Sequence, residues 1–410
     1  MNYIDFFKKY PRQLSFGFTH AFFAALGQTY IFAVFVPEFE QAFNLTPAQS
    51  GGYYGTITLL SGFLLFYTGS LIDKINLRKF ATAVVACIAI GALLMTQATN
   101  IATLLVAMFL LRHAGQGLMV HLGNVATSKY FTRNRGKGLS VVAMGVSLSA
   151  MVLPFFAAWL IASYGWQAAY AVMGLITVLA CLGLSYSLFR KDEPFLHPHL
   201  TEEEQHPAFM EEEELNWGRR QLLSHPHFWM ILPLVMGPGY IVTAFTFHQG
   251  QVAGMQGWSM QHIAAAFVAY GIGSFAMNFA IGPLIDKFSG NMVQKLMMVP
   301  LILSALVLYL GTHPALAYVY LGLMGIGVGW GASNMAMWAE VYGRRHVGAI
   351  KSFVGTITII GSAAAPVVFG TMVESGWTVG ETILVHVAYM VIATILAVLA
   401  PLPQNKRRKA

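Results

Sequence analysis

The sequence predicts an all-α polytopic membrane protein, with twelve transmembrane helices arranged as two six-helix parallel repeats. Three observations carry this. Of the 410 residues, 56% are hydrophobic and 10% charged, where a soluble domain has about 25% charged. Apolar runs close to the roughly 20 residues that cross a bilayer core recur along the chain. Landmarks of the first half return in the second at a nearly constant offset, the mark of an internal repeat.

The spans are expected at 17–36, 48–70, 80–97, 101–127, 139–162, 167–189, 227–249, 260–282, 293–311, 315–338, 348–371 and 381–400. Span 1 follows Lys8, Lys9 and Arg12 without a small-residue cleavage site, so it is read as a retained helix and not a signal peptide. Spans 2 and 8 run into GSLIDKI (69–75) and GPLIDKF (282–288), which are 213 residues apart. Span 4 consists of two uncharged stretches, IATLLVAMFLL and GLMVHLG, with Arg112 between them. YFTRNRG and YGRRHVG precede spans 5 and 11, and Tyr130 to Pro154 and Tyr342 to Pro366 are both 24 residues apart. YGWQ and SGWT lead into spans 6 and 12, placing Trp166 against Trp377 at an offset of 211. LLSHPHFW reads as an interfacial entry to span 7. The resulting domains are 1–190, a cytoplasmic linker at 191–226, and 227–410. The linker carries TEEEQHPAFMEEEEL together with Pro194 and Pro198, a solvated composition.

The net charge of +7 could suggest a nucleic-acid partner, but its distribution excludes that reading. Of 24 Lys and Arg, 23 lie at the termini or in and beside the loops after spans 2, 4, 6, 8 and 10. The loops after the odd-numbered spans hold none. That asymmetry places both termini in the cytoplasm, and NKRRKA is read as a topology anchor. Cys87 and Cys181 form no disulfide or metal motif. His197, His199, His206, His225 and His227 lack a ligand spacing supported by cysteine or carboxylate. No HExxH, GxSxG or intramembrane Asp pair is present, so no enzyme and no cofactor is expected.

On these residues the chain resembles the major facilitator superfamily of secondary transporters. In that family the loop after span 2 reads Gly-x-Leu-x-Asp-(Arg/Lys)-x-Gly-(Arg/Lys)-(Arg/Lys). Gly69, Leu71, Asp73, Lys74 and Arg78 fit it, while Asn76 and Leu77 depart from it. The second copy keeps Gly282, Leu284, Asp286 and Lys287, with Ser289 at the second glycine position. The resemblance implies that Gly69, Asp73, Lys74, Arg78, Gly282, Asp286 and Lys287 form a conformational latch. A glycine there can let helix ends approach, and the Asp can face a helix N-terminus. RNRGKG before span 5 and HPHFW before span 7 are most similar to the monocarboxylate and oxalate–formate porter branch.

The candidate substrate-binding residues centre on Arg112. A wheel at 100° per residue joins Arg112, His113, Gln116 and Asn124 in one polar arc and turns His121 away from Arg112. Gly115, Gly117 and Gly123 permit close approach of other helices. None of the 17 Asp and Glu falls in the middle third of an expected span. An anion would therefore neutralise Arg112, whose planar fork takes a carboxylate through two parallel bonds. The alternative is an arginine satisfied by carbonyls, Gln116 and water. Gln28 and Tyr30 in span 1, Tyr240 and His248 in span 7, and Trp330 and Asn334 in span 10 complete the candidates, and His386 is placed at the periphery. With no intramembrane carboxylate, a proton could travel on His20, His113, His248 or the substrate.

The expectation is a monomeric secondary transporter of a small, monocarboxylate-like organic anion, coupled to proton symport, in a bacterial inner membrane. Its partners are the substrate, protons and the lipid bilayer. The competing reading is a proton-driven exporter of a hydrophobic or amphipathic compound.

Overall fold

The structure is a computed structural model that describes residues 3–131, 135–188, 217–343 and 346–403. Most of the linker and the basic C-terminal NKRRKA therefore lie outside the described residues, as do His197, His199 and His206.

Among the described residues, eleven helices are long and apolar enough to cross a membrane: Pro11–Phe43, Pro47–Asp73, Leu77–Thr96, Ile101–Tyr130, Lys137–Tyr164, Trp166–Leu184, Pro226–Phe247, Met260–Phe288, Gly290–Val307, Phe353–Glu374 and Val379–Leu399. The missing tenth span is present in two pieces, Ala315–Val328 and Gly331–Tyr342, broken at Gly329 and Trp330. The twelve-helix reading holds. Span 1 is longer than the expected 17–36, because its helix begins at Pro11, a residue favoured in a first turn.

Local chemistry sets the helix ends. The Asn100 side chain caps span 4 by accepting from the Thr103 N–H, and Ser259 caps span 8 through the His262 N–H. Thr378 and Glu381 form a reciprocal capping box at span 12. Spans 5 and 6 turn through Gly165 at φ +83°, and spans 11 and 12 through Gly376 at φ +92°. A side chain is strained in that region, so both repeat landmarks need their glycine.

Cα packing divides the chain into two compact units: Met1–Thr46 with Thr56–Ala208, and Pro47–Gly55 with Phe209–Ala410. In the first, span 1 packs on span 5 and span 3 on spans 4 and 6. In the second, span 7 packs on span 11 and span 9 on span 10, the corresponding partners. The repeat is thus structural as well as textual. One pairing differs. Span 8 lies closely along span 10, where a Cβ on Gly329 would come 2.6 Å from that of Met277. The equivalent spans 2 and 4 meet through side chains.

Candidate functional site

Span 4 departs from α geometry where its charge sits. Ile101–Leu111 is α-helical, Arg112–Met119 forms π turns, and Val120–Tyr130 returns to α. Such π segments are rare and recur at functional sites. Span 1 is interrupted at the same place. A 3₁₀ turn, Ala24–Gly27, leads to Gln28 at φ −85°, ψ 150°, before the helix resumes at Thr29. The Ile31 N–H bonds to the Gln28 carbonyl, and this releases the Gly27 carbonyl from the helical ladder.

Arg112 takes that carbonyl. Its Nη1 donates to Gly27 O at 3.0 Å and to Thr29 Oγ1 at 3.3 Å, and the side chain is 1% exposed. An arginine at a span's centre costs about 2.5–3.5 kcal/mol on insertion scales. A hydrogen bond from a charged donor contributes about 1.5–3 kcal/mol. Both bonds act against that cost. The broken helix and the buried charge therefore account for one another. Their contact is backbone on backbone: a Cβ on Gly27 would lie 2.7 Å from the Gln116 nitrogen, and one on Gly115 would lie 2.7 Å from the Gly27 nitrogen.

The expected single arc of Arg112 and His113 is split over two faces. Consecutive helical residues diverge by about 100°, and span 4 touches span 1 on one side and span 2 on the other. Arg112, Gly115 and Gly123 address span 1, with Gly123 set against Gly17. His113 and His121 address span 2, bonding to Thr68 Oγ1 at 3.2 Å and to Gly69 O at 3.1 Å. Gln116 and Asn124 are half-buried, as is Gln28 at the break in span 1. Tyr30, 6% exposed, donates to Ser149 Oγ in span 5 at 2.7 Å. His20 is buried and donates within its own helix to Phe16 O.

The second unit places its candidates in packing and inter-helix bonds. The Tyr240 hydroxyl is 3.4 Å from Nε2 of His386, whose Nδ1 donates to Thr382 O. His386 was expected at the periphery, yet it is buried between spans 7, 11 and 12. His248 is buried and donates through Nε2 to Pro366 O at 2.8 Å. The Trp330 indole donates to Val293 O and packs against the cluster of Met277, Ile281 and Val293. Asn334 is half-buried, and its Oδ1 finds no partner among the described residues.

The two loops are tied down differently. Asp73 pairs with Lys129 at 2.5 Å, the basic residue that closes span 4, in place of a helix N-terminus. Lys129 also reaches Ile72 O at 3.5 Å. Asn76 caps span 3 by accepting from the Arg78 N–H at 2.9 Å, which is why asparagine serves at a glycine position. Lys74 is exposed and Arg78 half-buried. In the second copy Gly282, Asp286 and Lys287 are exposed. A Cβ on Gly282 would meet open space, and one on Gly69 would make ordinary contact with His121. Close helix approach thus belongs to Gly27 and Gly115, not to these loop glycines. Ser289 holds φ +71°, as a glycine would, and its Oγ caps Met292 N–H. The next two amides, of Gly290 and Asn291, donate to Glu340 at 2.7 and 3.0 Å.

Sequence reasoning assigned no role to His121, Lys129 or Glu340. The available signal was position, since Lys129 and Glu340 close the fourth and tenth spans, beside the repeated loops. Among the described residues no group of three potential metal ligands is found.

The model of the Major Facilitator Superfamily matches residues 18–256 and 244–410. The uncharacterized MFS-type transporter YcnB of Bacillus subtilis (strain 168) is 24% identical over 154 residues, which span 37% of this chain and 32% of that protein. The crystal structure of a bacterial homolog of the human lysosomal transporter Spinster, inward-facing and unoccupied, matches with TM-score 0.68 at 14% identity, over 95% of each chain. Its inward-facing occupied form matches with TM-score 0.68 at 15% identity, over 96% of this chain and 97% of that one.

Proposed function

Because the chain belongs to the Major Facilitator Superfamily, an integral membrane transporter of a small-molecule substrate, we propose that it carries a small organic anion by proton symport with alternating access. The observation that supports this reading is the sign of its mid-span charge. Arg112 is the one Lys or Arg away from the termini and inner loops, and the carboxylates all lie outside the middle thirds of the spans. A cationic cargo would meet repulsion in such a span, and an anion attraction. The Lys and Arg asymmetry favours cytoplasmic termini. The similarity to a Bacillus protein supports a bacterial inner membrane.

A specific observation favours a second reading. Arg112 is 1% exposed and bonded to Gly27 and Thr29, so its charge can serve the joint between spans 1 and 4 and leave the cargo uncharged. This arrangement is compatible with proton-driven export of a hydrophobic or amphipathic compound.

Thermal unfolding of the purified protein separates the two. Ligand raises the midpoint in proportion to its affinity for the folded state. Lactate, acetate and oxalate are compared with sugars, amines and lipophilic drugs at pH 5.5 and 7.5. Stabilisation by carboxylates, abolished in Arg112→Lys, is the expected result. Stabilisation by lipophilic compounds alone overturns the anion reading.

A further inference from the structure

The joint between spans 2 and 4 is built from side chains, and three of them come from one face of span 4. His113, His121 and Lys129 are spaced eight residues apart and grip successive points on the C-terminal end of span 2: Thr68, Gly69, and Ile72 with Asp73. Directionality is settled by the acceptors. The Thr68 hydroxyl donates to Leu64 O, so His113 Nε2 is the donor to Thr68. A carbonyl only accepts, so His121 Nε2 donates to Gly69.

Gly69 is where span 2 changes character. The α-helix Pro47–Gly69 gives way to the 3₁₀ turn Ser70–Asp73, and Lys74 and Ile75 then close on Leu71 O. Such a change loosens the carbonyls at the junction from the i+4 ladder. His121 supplies a donor there from another helix. The corresponding joint of the second unit, spans 8 and 10, is closed by backbone packing around Gly329, Gly273 and Gly325. The first unit thus uses replaceable side-chain bonds where the second uses steric fit.

We propose that His121 is a positioning residue for the loop of residues 69–78, fixing the α-to-3₁₀ junction at Gly69 so that Asp73 meets Lys129. Its effect on transport rests on the latch reading of that loop; its effect on the loop's geometry does not.

The test uses the full chain in nanodiscs, with hydrogen–deuterium exchange read on peptides covering 69–78. His121→Phe keeps the ring volume and loses the donor, and His121→Gln keeps an N–H. Loss of one hydrogen bond is expected to speed exchange at Lys74 and Ile75 about fivefold in His121→Phe, with His121→Gln close to wild type. Unchanged exchange in His121→Phe, or His121→Gln as fast as His121→Phe, overturns the proposal. A second measurement isolates the latch. Spin labels replace Lys79 and Met292 on a background with Cys87 and Cys181 changed to alanine, and double electron–electron resonance records the distance populations. Asp73→Asn and His121→Phe are expected to shift them in the same direction. If neither does so while exchange still responds, the latch reading falls and the positioning role stands.

Discussion

At the scale of single residues, backbone strain is in view at one loop. Ser289 is held at φ +71°, a conformation that costs a side-chain-bearing residue about 1–3 kcal/mol. Replacing a serine cap by glycine costs only a few tenths of a kcal/mol. Ser289→Gly is therefore expected to raise stability by about 1 kcal/mol, measured as a higher unfolding midpoint in detergent. Arg112 stood out in the sequence because a charge census isolates it. Its acceptors did not, because the interruption of span 1 falls in AALG, an apolar run with no proline. Pro37, the residue that ought to break that span, sits inside a continuous helix. Propensity marks where a helix can break, and tertiary bonds decide where it does.

At the scale of helices, glycine decides which pairs come together. Gly115 and Gly117 are two residues apart and read alike in sequence, yet they have different neighbours. A Cβ on Gly115 would lie 2.7 Å from the Gly27 nitrogen, and one on Gly117 would lie 3.4 Å from a Leu65 methyl. Gly115→Ala must push two backbones apart, so a loss of about 1–3 kcal/mol is expected. Gly117→Ala meets only a movable side chain, and its unfolding midpoint is expected to match wild type. Equal midpoints for the two variants would contradict the glycine crossing. The spans themselves were legible from hydropathy and the repeat, including the tenth. The π turns of span 4 were not, since no residue type enforces them. The wheel grouped His113 with Arg112 in one arc, although consecutive residues diverge by about 100° and the two side chains serve different neighbours.

At the scale of the whole molecule, the Lys and Arg distribution makes a prediction about orientation. Alkaline phosphatase fused after Asn44 or Ala98 is expected to be active, and fused after Ile75 or Ser289 inactive, because phosphatase folds only outside the cytoplasm. Activity in the reverse set would invert the topology. The repeat was readable from Trp166 and Trp377, and the structure gives each a preceding glycine with positive φ. What the repeat hides is a reversal of sign. In the first unit a loop carboxylate meets a lysine at the end of span 4, and in the second a carboxylate at the end of span 10 meets loop amides. The ion pair is partly exposed, with Lys129 and Asp73 side chains 33% and 64% accessible, and mobile salt screens such pairs. Glu340 is held by two directed bonds from backbone N–H groups, whose hold comes from geometry as well as charge. Rising ionic strength should therefore loosen the first loop before the second. The two halves of one duplicated design then answer differently to the salt around them, and hydrogen exchange of the two loops across 0.05–1 M KCl would record it.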